Sequence, residues 1–303
     1  MNRRTFTHAM ATAALAAVAP PLQAAPAFGE SSSKVPPFQL SVMLWTVFTD
    51  LPFEQRLAKV AEAGYSNVEL VGEYSAHKWS DADFARANAA RKSLGIKFDA
   101  TAGLHHGVSD PASRDAFLAE LTQALTPMET LACPAMIVVS NDVDPGLSRE
   151  AQHQACIEAL KRAAALVEGR QIDGQPVRLL LECIHLQERP KCFLTSADEA
   201  IEIVRAVNHP QVQFLYDIYH EQMSFGQLMI KLEKHIDVIG LIHIADVPGR
   251  HEPGTGEINY GNIYRKLAEL KYNHMVAMEF RPTGEPIASL RAAKEMVERT
   301  ARA

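Results

Sequence analysis

Residues 240–260 read GLIHIADVPGRHEPGTGEINY, and they combine an apolar run with a loop rich in glycine and proline. Together with Val238 and Ile239 before it, the apolar run up to Ile244 is typical of a strand that is buried in a parallel sheet. His243 interrupts the run near its carboxyl end, and a loop rich in glycine and proline follows at once. Enzymes built on parallel sheets keep their chemistry where strands end and loops begin, so the sequence indicates a functional site here.

Strand-like and helix-like segments alternate along the whole chain after residue 37. The pattern predicts eight strands, at Gln39–Trp45, Asn67–Val71, Ile96–Ala100, Ala135–Val139, Val177–Cys183, Val212–Asp217, Val238–Ile244 and Met275–Phe280. It predicts a helix after each strand, at Phe53–Ala63, Asp81–Leu94, Asp115–Leu131 (interrupted at Pro127), Arg149–Val167, Ala197–Val207, Gln227–His235, Asn262–Leu270 and Ile287–Arg302.

Eight such repeats without a change in composition predict one α/β domain over residues 38–303, a single (β/α)8 TIM barrel. A doubly wound open sheet is the alternative fold. It is disfavoured because no GxGxxG turn follows an early strand.

The composition limits the partners of this domain. The chain has 303 residues, is 47% hydrophobic and 22% charged, and carries a formal charge of -6. This acidic balance argues against a surface for nucleic acid or an anionic membrane, and the oligomeric state is left open, with a homo-oligomer among the options. The four cysteines form no CxxC pair, so we expect buried free thiols, with a Cys183–Cys192 bridge as the alternative.

The first residues are predicted to direct export rather than to fold. Arg3 and Arg4 form a twin-arginine pattern, and the apolar run of residues 9–19 is too short to anchor the chain in a bilayer. We therefore predict a cleavable twin-arginine signal peptide at residues 1–25, a flexible lead-in at 26–37, a periplasmic location and no stable membrane insertion.

Four consecutive predicted strands end in side chains that can bind a metal ion: Glu182, Asp217, His243 and Glu279. Apolar residues precede each of them, so each charge would be costly to bury unless it is paired or coordinated. The carboxyl ends of parallel barrel strands meet at one mouth, so the four side chains should converge. Three carboxylates and one imidazole suit one divalent ion, Mn²⁺ or Mg²⁺ first, with Co²⁺ or Zn²⁺ as alternatives.

Two further residues at strand ends are weaker candidates. Trp45 would either form a wall of the pocket or belong to the core. Glu69 is expected to be a hydrogen-bonding or capping group.

The second half of the chain resembles the hydroxypyruvate isomerase family, within the xylose-isomerase-like sugar isomerase and epimerase barrels. The resemblance is carried by Leu179–Glu182, by Tyr216–Gln222 and by the long segment from His243 to Tyr260. It implies that Glu182, Asp217, His243 and Glu279 hold the metal and that Glu182 and Glu279 are catalytic. It also implies that His220, Arg250 and Glu188 contact a small hydroxy-carbonyl or sugar substrate.

Two positions differ from the hydroxypyruvate isomerase pattern. His243 stands where that pattern usually has glutamine and where ketose epimerases of the same barrel have histidine. Cys183-Ile184-His185 stands where Pro-x-Asn is usual. A ketose 3-epimerase or another exported sugar isomerase is therefore the alternative function.

The residue types predict proton transfer as the chemistry. Moving a carbonyl to the neighbouring carbon requires a base that removes a proton next to the carbonyl, an enediolate that is stabilised electrostatically, and an acid that returns the proton. Two glutamates and a divalent Lewis acid supply these functions. An endonuclease of the same superfamily and a non-catalytic sugar-binding barrel are further alternatives, disfavoured by the acidic balance and by the glutamate pair respectively.

Overall fold

The computed structural model describes residues 38–301. The predicted signal peptide and the lead-in lie outside the described residues. Within the described part of the chain, no helix is both long enough and apolar enough to traverse a bilayer.

Eight parallel strands close into a barrel, as predicted. In chain order they are β1 Gln39–Met43, β2 Asn67–Leu70, β3 Lys97–Thr101, β4 Ala135–Val138, β5 Arg178–Glu182, β6 Val212–Asp217, β7 Ile239–Ile244 and β8 Met275–Met278. Each strand pairs with its neighbours in the sequence, and β1 pairs with β8 in parallel. The sheet therefore has no free edge, and the carboxyl ends of all eight strands surround one mouth.

Helices follow the strands and cover the outside of the barrel. They are α1 Phe53–Glu62, α2 Glu73–Ala76, α3 Asp81–Ser93, α4 Arg114–Leu131, α5 Arg149–Val167, α6 Ala197–Val207, α7 Ile218–Ser224, α8 Leu228–His235, α9 Tyr260–Glu269 and α10 Pro286–Thr300. The short helices α2 and α7, and a small hairpin of Gln171–Ile172 with Gln175–Pro176, were not predicted. Each is too short for its apolar residues to show a period.

The predicted interruption at Pro127 is wrong, because α4 continues through it. Proline lacks the N–H that would bond to the carbonyl of Gln123, one turn earlier. Leu121, Leu125 and Met128 of the same helix are buried in the core, and this packing holds the helix together across the lost hydrogen bond.

The strands bury both faces, and the alternation of their side chains separates two cores. The larger core lies between strands and helices, whereas a small cluster fills the barrel itself, with Met43, Ala100, Ala135, Ile137, Leu180, Leu215, Leu241 and Ala277. Any residue two positions beyond a member of the small cluster on the same strand faces the barrel interior as well.

All four cysteines are buried and free, as expected. The alternative of a Cys183–Cys192 bridge is therefore wrong. Cys192 Sγ instead lies 3.3 Å from Ser140 Oγ, within hydrogen-bonding distance.

Candidate metal centre and active site

Strand alternation delivers the four predicted ligands to one point. Leu180, Leu215, Leu241 and Ala277 fill the barrel, and the residues two positions further on are Glu182, Asp217, His243 and Glu279. In addition, Asp217 lies opposite His243 in the pairing of β6 with β7. The four side chains are buried, and one ligand atom from each lies within 4.8 Å of the others.

The donor atoms of this cluster fit a divalent cation. His243 Nδ1 and Glu279 Oε2 are buried and lie 2.7 Å apart, and His243 Nδ1 makes no hydrogen bond of acceptable geometry. A buried imidazole nitrogen and a carboxylate oxygen that face one another in this way are suited to bind the same ion. Three carboxylate donors with one imidazole also match the oxygen-rich set that Mn²⁺ and Mg²⁺ prefer.

Glu69 fixes the imidazole of His243 from the other side. Its Oε2 lies 2.7 Å from His243 Nε2, and both side chains are completely buried. The carboxylate can only accept, so Nε2 carries the proton and Nδ1 is left to face the cluster. The predicted hydrogen-bonding role of Glu69 is confirmed, and the bond crosses the barrel from β2 to β7. Such an outer carboxylate raises the basicity of a ligating histidine.

Arg250, in the loop after β7, contacts the cluster through its guanidinium group. Its Nη1 lies 2.7 and 2.8 Å from the two carboxylate oxygens of Glu188, and its Nη2 lies 2.7 Å from Glu279 Oε2. The guanidinium also lies over the rings of Trp45 and Tyr219, at 5.1 Å from each centroid. The predicted substrate contacts Arg250 and Glu188 are therefore bonded to each other and adjoin the metal-competent cluster.

His220 adjoins the cluster through the first turn of α7. Asp217 Oδ1 accepts the backbone N–H groups of Tyr219 and His220, at 2.7 and 3.1 Å, and so caps this helix. The imidazole Nε2 of His220 then lies 3.4 Å from Asp217 Oδ2 and 3.8 Å from Glu182 Oε1. Its Nδ1 lies 2.6 Å from Nδ1 of His185, a contact that was not predicted.

The environment separates the pKa values of the two predicted catalytic glutamates. Burial, followed by repulsion from Glu279, raises the pKa of Glu182 to about 8. Burial also raises the pKa of Glu279, but Arg250 and His243 outweigh it and bring that pKa well below its ordinary value. Burial raises the pKa of Asp217 to about 6, against the opposing effect of Arg250. Without a bound metal ion, Glu182 is thus the glutamate that holds a proton at neutral pH, and Glu279 is the one that is ionised.

Trp45 belongs to the site rather than to the core alone. It follows the interior residue Met43 by two positions, in the 3₁₀ turn Leu44–Thr46. Its indole Nε1 donates to Glu279 Oε1 at 2.8 Å. It also packs against the small cluster inside the barrel, so the structure places Trp45 beside Glu279 and against the core at once.

The loop after β7 is wound around the carboxylate of Asp246, which the sequence did not single out. This side chain accepts backbone N–H groups from Val247, Gly254, Gly256 and Ile258 at 2.9 to 3.0 Å. Gly256 has no room for a side chain, since a Cβ there would lie 2.0 Å from the carbonyl oxygen of Val247. The loop that carries Arg250 is therefore held by its own hydrogen bonds.

A closed barrel of eight parallel strands with helices outside it defines a TIM-barrel protein, here with a buried, metal-competent cluster at the carboxyl ends of four strands. A family model described as a xylose isomerase-like TIM barrel matches residues 57–300, so the chain belongs to that family.

Individual relatives are similar over most of their length. The 2-oxo-tetronate isomerase of Pectobacterium atrosepticum is 29% identical over 84% of this chain and 95% of its own. The hydroxypyruvate isomerase of Escherichia coli is 28% identical over 84% of this chain and 97% of its own. A crystal structure titled AP endonuclease, family 2, from Brucella melitensis superposes with a TM-score of 0.76 at 26% identity, and covers 86% of this chain and 99% of its own.

Proposed function

We propose that this protein is a metal-dependent isomerase that moves a carbonyl between adjacent carbons by proton transfer. The observation that carries the proposal is the pair Glu182 and Glu279, which share one buried, metal-competent cluster with Asp217 and His243. Two carboxyl groups held together in this way can act as acid and base on one substrate. A protein that merely binds a sugar does not need such a pair.

The proposed reaction divides the work among residues of this chain. Glu279 removes the proton from the carbon that bears the hydroxyl group, and the electrons of that C–H bond form an enediolate. Glu182 returns a proton to the neighbouring carbon, while the hydroxyl proton moves to the other oxygen. Glu182, Asp217, His243 and Glu279 would hold the divalent ion, which when bound supplies Lewis-acid stabilisation of the substrate oxygens.

We propose a small hydroxy-keto acid as the substrate class. The support is the similarity to relatives that are named hydroxypyruvate isomerase and 2-oxo-tetronate isomerase. A ketose 3-epimerase is the second candidate. It is favoured by His243, the residue by which the sequence resembles the epimerases of this barrel. An endonuclease activity fits less well, because the chain has a net charge of -6.

The proposed chemistry is tested by substrate exchange in heavy water. Metal-loaded protein should exchange the proton next to the carbonyl of hydroxypyruvate, and Glu279→Gln should slow that exchange by about a hundredfold to ten-thousandfold. Glu257→Gln, at an exposed glutamate in the loop after β7, is the matched control and should keep the wild-type rate. A failure to exchange hydroxypyruvate, 2-oxo-tetronate or any ketose, in protein that binds one divalent ion, would reject the proposed function.

We also propose that the protein is exported to the periplasm. The support is the twin-arginine pattern at Arg3 and Arg4 with the apolar run after it. The double substitution Arg3→Lys with Arg4→Lys should leave the protein in the cytoplasm at its full precursor mass. Wild-type protein found in the cytoplasm with residues 1–25 intact would refute the proposal.

A further inference from the structure

His185 and His220 form a buried pair of imidazoles beside the cluster. Their Nδ1 atoms are 2.6 Å apart, and the side chains are 2% and 3% exposed. Two N–H groups cannot face each other at this distance, so one of the nitrogens donates a proton and the other accepts it. The pair therefore links the protonation state of one ring to that of the other.

The surroundings of His220 decide the direction of this hydrogen bond. Its Nε2 lies 3.4 Å from Asp217 Oδ2, the nearest carboxylate oxygen, and 3.8 Å from Glu182 Oε1. The carboxylate of Asp217 attracts an N–H donor, so Nε2 carries the proton. A second proton, on Nδ1, would make the ring a buried cation near the guanidinium of Arg250.

From this geometry we infer that His185 is a positioning residue, which donates its Nδ1–H to Nδ1 of His220 and so keeps His220 in the Nε2–H tautomer. The inference rests on the proposed function only for its catalytic consequence. In that tautomer His220 presents a neutral N–H at the edge of the glutamate cluster. A neutral donor held there strengthens its hydrogen bond as negative charge develops on a substrate oxygen. With the opposite tautomer, His220 would present a lone pair to the same oxygen and repel it.

The surroundings of the histidine pair argue against a role in binding a second metal ion. His185, Glu188 and His220 also have ligand atoms close enough to hold a second metal ion. However, both oxygens of Glu188 are bonded to Arg250 Nη1, so a cation at this position would lie next to a guanidinium. The contacts therefore favour a hydrogen-bonded pair, and metal stoichiometry is one of the measurements that separate the two roles.

The first test measures the tautomer directly. Long-range nitrogen–proton NMR on Mg²⁺-loaded protein with ¹⁵N-labelled histidine distinguishes Nδ1–H from Nε2–H rings, and the signals lost in His220→Gln assign His220 among the 12 histidines. We expect the Nε2–H tautomer for His220 and the Nδ1–H tautomer for His185. His220 with its proton on Nδ1, or a second bound Mg²⁺ that is lost in His185→Asn, would overturn the inference.

The second test compares two substitutions of similar shape. In His185→Asn the amide can still donate to Nδ1 of His220, whereas in His185→Leu the donor is lost. We expect the Nε2–H tautomer and most of the activity to persist in the first, and a mixed tautomer with a kcat lowered about tenfold to a hundredfold at an unchanged KM in the second. His105→Asn, at an exposed histidine in the loop after β3, is the control and should change neither quantity.

The outcomes separate this inference from the proposed function. A His185→Leu protein that binds one Mg²⁺ and keeps the wild-type tautomer and kcat would contradict the positioning role. Wild-type protein without α-proton exchange but with the expected tautomers would reject the isomerase function and leave the assignment of the pair standing.

Discussion

Trp45 donates a 2.8 Å hydrogen bond from its indole Nε1 to Oε1 of Glu279, and so joins the turn after the first strand of the barrel to the residue that follows the last strand. Glu279 Oε2 is left to face His243 Nδ1 and Arg250 Nη2, each at 2.7 Å. One oxygen of this carboxylate is thus held by an uncharged donor, while the other faces the cationic side of the cluster. The orientation of the proposed base depends on a residue 234 positions earlier in the chain.

The hydrogen bond from Trp45 should matter for turnover more than for metal binding. Trp45→Phe keeps an aromatic ring near Arg250 but removes the donor, so the carboxylate of Glu279 can rotate. We expect kcat to fall by about tenfold to a hundredfold, because a lost hydrogen bond to a charged group is worth about 1.5–3 kcal/mol. Metal content should remain at one ion per chain. Trp79→Phe, at the other tryptophan, which packs against Phe53 and Phe84, should leave kcat unchanged.

Glu69 should control the affinity for the metal ion. Glu69→Gln replaces the carboxylate that accepts the Nε2–H of His243 with a neutral amide, so the imidazole loses basicity and its fixed orientation. We expect metal affinity to fall by about tenfold to a hundredfold, measured by calorimetric titration of chelator-treated protein with Mn²⁺.

Glu221→Gln is the control for Glu69, because Glu221 is also a buried glutamate but its carboxylate pairs with Lys231. An equal loss of affinity in both variants would show that the buried charge matters rather than the bond to His243.

The raised pKa of Glu182 predicts how stability depends on pH when the metal has been removed. The ordinary pKa of a glutamate is 4.5, and that of Glu182 in the folded protein is about 8, mainly because of burial. Between these two pKa values the folded state binds a proton that the unfolded state does not, so the free energy of unfolding should fall as the pH rises. Because metal ligands must be deprotonated, the stabilisation by added Mn²⁺ should increase over the same range.

The measurement for Glu182 is the melting temperature near the two ends of this range, with chelator and with Mn²⁺. Glu182→Gln should flatten the decline seen with chelator, because the amide does not titrate. A wild-type melting temperature that rises with pH under chelator would contradict the prediction.

Arg281 should discriminate between acid and neutral substrates. The guanidinium of Arg250 is bound to Glu188 and Glu279, whereas the exposed side chain of Arg281 makes no ion pair with any residue the structure describes. It lies 5.2 Å from the ring centroid of Trp45, at the mouth of the site. We expect Arg281→Gln to raise KM for hydroxypyruvate about tenfold through loss of a charge-assisted hydrogen bond, and to leave KM for a neutral ketose unchanged.

The matched variant Arg281→Lys keeps the positive charge and should retain most of the affinity for hydroxypyruvate. If Arg281→Gln raises KM for acid and neutral substrates alike, the side chain of Arg281 affects the shape of the site and does not discriminate between substrates by their charge.

The convergence of the four predicted ligands could be predicted from the sequence because it follows from local rules. Each lies at or next to the carboxyl end of an apolar strand, and a period of two places it on the inner face with the apolar residue two positions before it, as for Leu241 and His243. The same period could have found Glu69, because Val68 and Leu70 on either side belong to the outer core.

The contacts between loops could not be predicted, because they depend on conformations that are set by distant residues. The bond between His185 and His220 needs the helix cap at Asp217, and the ion pair of Arg250 with Glu188 needs the loop wound around Asp246. At Pro127 the local rule itself gave a wrong prediction. It predicted a break in the helix, but the burial of Leu125 and Met128 keeps the helix continuous.

The crossing of the barrel by the bond from Glu69 to His243 has a consequence for biosynthesis. The centre draws on residues from position 69 to position 279 of a chain of 303, so no partial chain that emerges from the ribosome contains it. An ion held by the four proposed ligands would be captured only after translation is nearly complete and the sheet has closed. A bound metal ion would then indicate that the barrel has closed. If the protein is exported as proposed, by a route that transports folded proteins, the exported molecules would be those whose metal site is complete.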